Sequence, residues 1–153
     1  MKISYPFNVT NQRTGQVIEH TIAFNNRNSS SFQGEITECT KLGVPRAKLG
    51  DPNFKEVVDY WARAGGVKWV YTVFKELYVI PAMFHGGYEP PHSYAAANAP
   101  VFCAGFADFD PEVPNQLNVN HWSGHYQPSP NSLNYYLAVA WQDCGYTIMQ
   151  VGR

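Results

Sequence analysis

Apolar residues recur along the chain with two periods, and the change from one to the other marks the elements. Over Ile3–Val9 apolar and polar positions alternate, and Val17–Phe24 is a second β-like run, which predicts two strands joined by a turn at Gln12–Gly15. The polar tract Asn25–Ser31 reads as a loop, and Glu35–Thr40 as a further strand. The period then lengthens. Phe54, Val57, Val58, Trp61 and Ala62 fall on one helical face. Asp51 can cap that helix, Pro52 suits its first position, and Gly65-Gly66 can end it.

Val67–Phe74 and Leu77–Ile80 are β-branched and aromatic runs and predict strands. Residues 81–100, rich in Pro, Gly and Ala, read as one long loop, of a length that often carries function. Val101–Phe109 and Gln116–His121 read as strands. A second helix starts at Ser129-Pro130, buries Leu133, Leu137, Ala140, Trp141 and Cys144, and stops near Gly145. Tyr146–Val151 is the last predicted strand. The sum is a single α+β domain over residues 1–153, mostly antiparallel sheet with two amphipathic helices.

Composition agrees with a packed globule. Aromatic residues reach 15%, and charged residues are held to 15%. No apolar run approaches membrane-spanning length, and MKISYPFNV reads as a strand, not a secretory leader. Cys39, Cys103 and Cys144 fit no zinc spacing, and an odd count argues against a disulfide framework. Buried free thiols in a reducing, cytosolic compartment are therefore expected, with delivery from elsewhere left open.

Charge is distributed unevenly. Ten of the eleven Lys and Arg lie between Lys2 and Lys75, and none lies between Glu76 and Gly152. That half cannot supply the cations that dominate nucleic-acid binding, so a nucleic-acid partner is not expected. A phosphate held there would need backbone N–H groups, histidine, or basic residues folded over from the first half.

His85, His92, His121 and His125 fall within 41 residues, and His20 stands apart. Histidine is the usual proton carrier near neutrality. His121 and His125 have a helical metal-pair spacing, but Ser123-Gly124 and Pro128 disfavour a helix there. On a strand they would stand about 13 Å apart, too far for one ion, so no metal is expected. Asp108 and Asp110 alternate on a predicted strand and share a face. Cys103 with His125 is a conceivable thiol–imidazole pair, although VFCAGF suits an inert buried thiol better. Tyr88, Tyr94, Trp122 and Tyr126 offer a stacking wall, or else ordinary core and edge aromatics.

Two segments, 92-HSYAAANAPVFCAG-105 and 123-SGHYQPSPNSL-133, are together similar to a known module. Its pattern is His-Ser, Pro-Val, Ala-Gly, then Ser-Gly-His-Tyr-x-Pro and an amphipathic helix. The module resembled occurs in plant IQ-motif calmodulin-binding proteins and in C-terminal domains of bacterial polymorphic toxins and effectors. The resemblance covers residues 92–146. It departs at Asn98-Ala99, where the module tends to Gly-Gly, and at Phe106, where it tends to an acid. No IQ motif is present, so calmodulin binding does not carry over.

The resemblance implies a toxin- or effector-like domain. One expectation is reaction at an N-glycosidic centre, by ADP-ribosyl transfer or NAD hydrolysis, with NAD as the substrate. His92, Ser93, His125 and Tyr126 would then hold the ligand, Asp108, Asp110 or Glu112 would supply the acid, and Tyr94 and Trp122 would stack. A second is a metal-independent ribonuclease using His92 and His125 as base and acid. A third is a non-catalytic module that binds a protein or glycan, in which these residues are architectural.

Overall fold

A computed structural model of the chain describes residues 8–10, 17–19 and 23–151. The first strands, β1 (Asn8–Thr10) and β2 (Val17–Glu19), overlap the two predicted there and pair antiparallel. The turn at Gln12–Gly15 and His20 lie outside the described residues.

The predicted strand over Glu35–Thr40 is instead part of a helix, α1, Phe32–Leu42. Ile36 and Thr37 favour strands only weakly, and helical spacing of Phe32, Ile36 and Cys39 prevails. Gly43 ends the helix at φ 73°, its N–H turned back to the Cys39 and Thr40 carbonyls. A short strand β3, Ala47–Lys48, follows.

The predicted helix after Asp51 is α2, Phe54–Arg63. Asp51 does not cap it with its side chain; Asp51 Oδ2 accepts the Lys48 N–H at 2.9 Å, closing the preceding turn. Strands β4 (Val67–Thr72) and β5 (Leu77–Pro81) form a hairpin. Within the predicted loop over 81–100 lies a five-residue helix, α3, His92–Ala96. Next come β6 (Val101–Phe109), β7 (Gln116–Val119), α4 (Pro130–Ala140) and β8 (Thr147–Gln150). The predicted Gln116–His121 strand thus ends two residues early, where Asn120 turns its side chain onto the Phe106 N–H. Among the described residues there are four α-helices, two more than the periodicity predicts.

The main sheet has the order β3–β5–β4–β6–β7–β8. Every neighbouring pair is antiparallel except β7 and β8, whose parallel pairing uses α4 as the crossover. The fold is a single α+β domain with a mostly antiparallel mixed sheet.

The two sheet faces bury different partners. Trp69, Tyr71, Val79, Cys103 and Leu117 pack with Val58 and Trp61 of α2 and with Leu133 and Tyr136 of α4. On the other face Val70, Ile80 and Ala104 meet Ala95 and Ala96 of α3, Tyr126 and Phe24. Helix α1 rests on α3 on this second side. Lys68 and Phe106, directly paired across β4 and β6, continue that face beyond the apolar core.

Candidate functional site

The segment 121–127 ends β7 by leaving the sheet. The Asn120 side chain accepts the backbone N–H groups of Phe106 and Trp122, at 3.1 and 3.0 Å. Ser123 Oγ then accepts the Tyr126 N–H, and the Ser123 carbonyl accepts the Gln127 N–H. A tight turn results, with Tyr126 driven inward and Trp122, Gly124 and His125 left toward solvent.

Gly105 is fixed by this crossing. A Cβ there would stand 1.7 Å from the Asn120 carbonyl oxygen, so the two backbones approach closer than any side chain permits.

The histidines the sequence singles out take different positions. His92, at the start of α3, is 4% exposed, and its Nε2 donates to the Gly105 carbonyl at 2.7 Å. A carbonyl only accepts, so the ring proton sits on Nε2. Burial, with Lys68 and His125 nearby, lowers the His92 pKa to about 3, against the pull of the Gly105 bond. His92 is therefore a neutral imidazole at physiological pH.

His125 is half-buried, and its Nε2 meets Glu35 Oε2. The other oxygen, Glu35 Oε1, accepts the hydroxyl of Ser93 at 2.8 Å. One carboxylate on α1 thus joins the turn at 125 to α3. Ser93 is fully buried and donates to Glu35, not to either histidine, so its oxygen is an anchor. Glu35 orients the His125 ring with Nε2 toward the carboxylate. In the neutral ring Nδ1 is then the acceptor.

His92 and His125 line one cleft of about 370 Å³, with Lys68, Glu89, Phe106 and Trp122 among its other walls. Trp122 is 55% exposed and supplies an open aromatic surface. Lys68 is half-buried on β4, and Glu89 is exposed on the loop before α3. Burial holds the Lys68 ammonium below the usual lysine range, and Glu89 and Cys39 pull the other way.

Other predicted residues lie elsewhere. Tyr126 is fully buried in the core under α3, and its hydroxyl donates to the Ala99 carbonyl at 2.9 Å. Burial raises its phenol well above the ordinary range. Tyr94 donates to the Val44 carbonyl at 2.7 Å, which ties α3 to the segment after α1. Tyr88 OH and the Cys39 thiol lie 3.5 Å apart. His85 packs its ring against Phe84.

Asp108 is exposed near the end of β6 and is not part of the cleft wall. Asp110 organises the following turn. It accepts the N–H groups of Glu112 and Val113 and the Asn118 amide, which together lower its pKa, the Asn118 bond foremost. The two aspartates are thus not gathered with the histidines.

Cys103 faces the opposite side of the sheet, under α4, where Ser132 Oγ donates to its sulfur at 3.4 Å. Burial pushes that thiol up to about 12. It is no partner for His125. All three cysteines are free and buried.

Sequence reasoning missed Glu35, Lys68 and Glu89. Glu35 was hidden by the strand reading of its segment. Lys68 carried a visible signal: it is the one polar position inside the apolar run VKWVY. Among the described residues no helix is long and apolar enough to cross a membrane. No family model, curated protein or solved structure matches the chain.

Proposed function

We propose that this chain is a toxin- or effector-like domain whose cleft acts at an N-glycosidic centre, with NAD or a related nucleotide as substrate. The observation that carries this reading is His125, held by Glu35 and opening on a cleft that also presents Trp122 and Glu89. Trp122 offers a face for a planar base. Glu89 supplies negative charge beside a sugar carbon that becomes cation-like as its bond to nitrogen breaks.

With NAD the step balances as follows. The C1′–N bond breaks, its electron pair goes to the pyridinium nitrogen, and nicotinamide leaves neutral. Water, or a hydroxyl or amine of a target, adds to C1′. The proton lost by that nucleophile passes to Nδ1 of His125. Glu35 stabilises the imidazolium that forms, through the Nε2 hydrogen bond.

In this reading Glu89 and Glu35 take the acidic roles first expected of Asp108 and Asp110. Phe106, at the position where the resembling module tends to an acid, forms part of the cleft wall. Tyr126 and Ser93 hold the turn and α3 in place. The ribonuclease alternative needs His92 to exchange protons with the substrate, and its neutral ring, hydrogen-bonded to the Gly105 carbonyl, disfavours it. Incubation with NAD, following nicotinamide release and transfer of label to lysate proteins, tests the proposal. Absence of both would contradict it.

A further inference from the structure

Lys68 breaks the apolar pattern of a central strand, and the described residues give it no contact partner. Among the described residues, no carboxylate lies within ion-pair distance of its ammonium, and no hydrogen bond receives it. It is half-buried, directly across the sheet from Phe106, and it forms part of the cleft wall beside His92 and His125.

A half-desolvated charge without a contact partner is costly, so its retention at a cleft calls for an anion that arrives with the ligand. Glu89 acts on Lys68 through space but not in contact. His92 cannot take the anion as a cation, because its ring is neutral and its Nε2–H is already donated.

We propose that Lys68 is an anion-binding residue of the cleft, and that it selects phosphorylated ligands, nucleotides over nucleosides. The inference rests on the N-glycosidic reading for the identity of the rest of the ligand. The two opposed charges then have separate tasks. Lys68 receives a phosphate, and Glu89 faces the sugar. This also explains how a half-chain without Lys or Arg between Glu76 and Gly152 can hold a nucleotide: the cation comes from β4.

The test measures binding of nicotinamide mononucleotide, nicotinamide riboside and inorganic pyrophosphate by calorimetry, with nicotinamide release followed in parallel. Wild type is compared with Lys68→Met, which keeps the aliphatic stem, and with Lys68→Arg, which keeps the charge. Wild type should prefer the mononucleotide over the riboside by about ten- to a hundredfold, as one charge-assisted contact contributes. Lys68→Met should bring the two within about twofold and lose pyrophosphate binding, and Lys68→Arg should retain most of the preference.

Equal affinity of wild type for the two ligands would overturn the inference, as would no binding of either phosphate compound or a preference that survives Lys68→Met. The two readings fail separately. Pyrophosphate binding that depends on Lys68, without nicotinamide release, removes the reaction and leaves the anion site. Release from mononucleotide and riboside at equal rates, unchanged in Lys68→Met, removes the anion site and leaves the reaction.

Discussion

His92 shows how a side chain can look catalytic in sequence and serve packing in the fold. Its ring is neutral in the folded protein and protonates near pH 6.5 when unfolded, so the unfolded state binds more protons between those values. Stability should therefore hold above pH 6.5 and fall as pH drops from there toward 3, by up to about 1.4 kcal/mol per pH unit from this residue. Denaturant midpoints measured across that range check this, and a His92→Gln variant, which can still donate to the Gly105 carbonyl, should show a shallower acid limb. Trp122 lies at the opposite extreme. As an exposed side chain it should cost less than about 0.5 kcal/mol on truncation to alanine, whereas Trp69→Ala in the core should cost about 3–5 kcal/mol. Thermal melts of the two variants distinguish them, and only Trp122→Ala should weaken ligand binding in a protein that stays folded. Histidine clustering was legible in the sequence. The partner of each ring was not, because it is a backbone carbonyl thirteen residues away in one case and a carboxylate ninety residues away in the other.

Helix α1 decides the site, and it is the element most misread from sequence. Its β-branched residues suggest a strand, yet packing on α3 and the left-handed Gly43 stop favour a helix. The consequence is Glu35, whose two oxygens join Ser93 of α3 to His125 of the turn. Replacing Glu35 by alanine leaves the buried Ser93 hydroxyl without its acceptor and should destabilise by about 1–3 kcal/mol in chemical denaturation. Glu35→Gln keeps hydrogen-bonding oxygen and shape but cannot balance an imidazolium. It should melt near wild type while losing about a hundredfold or more in turnover. The strands from Val67 to Phe109 were read well because their β-branched runs are long and bounded by turn residues. Lys68 within them is conspicuous for the same reason.

The whole molecule places its larger apolar core and its cleft on opposite sides of one sheet. Helices α2 and α4 cover the larger core, and the inert Cys103 thiol lies among their contacts. On the other side, α3 and Tyr126 fill only part of the face. Beyond them Lys68 and Phe106 are left to a cleft walled by the 122–125 turn. The crossing of β6 by the chain at Asn120 holds this arrangement, and Gly105→Ala should disrupt it by about 3 kcal/mol or more. A fall in melting temperature together with loss of His92 protection against exchange would show that effect. The α+β class and most strands were legible from periodicity. The cleft was not, since its walls come from β4, α3, β6 and two loops far apart in the chain. HWSGHYQPSP serves both purposes: Tyr126 is core, Ser129-Pro130 starts α4, and Trp122 and His125 face the cleft.

We propose above that this cleft acts at an N-glycosidic bond with His125 as proton acceptor. Its most direct test is nicotinamide release from NAD, measured chromatographically, for wild type and His125→Ala proteins with matched melting temperatures. Wild type should release nicotinamide, and the variant should lose about a hundredfold or more. No release by wild type, or equal release by both, would contradict it.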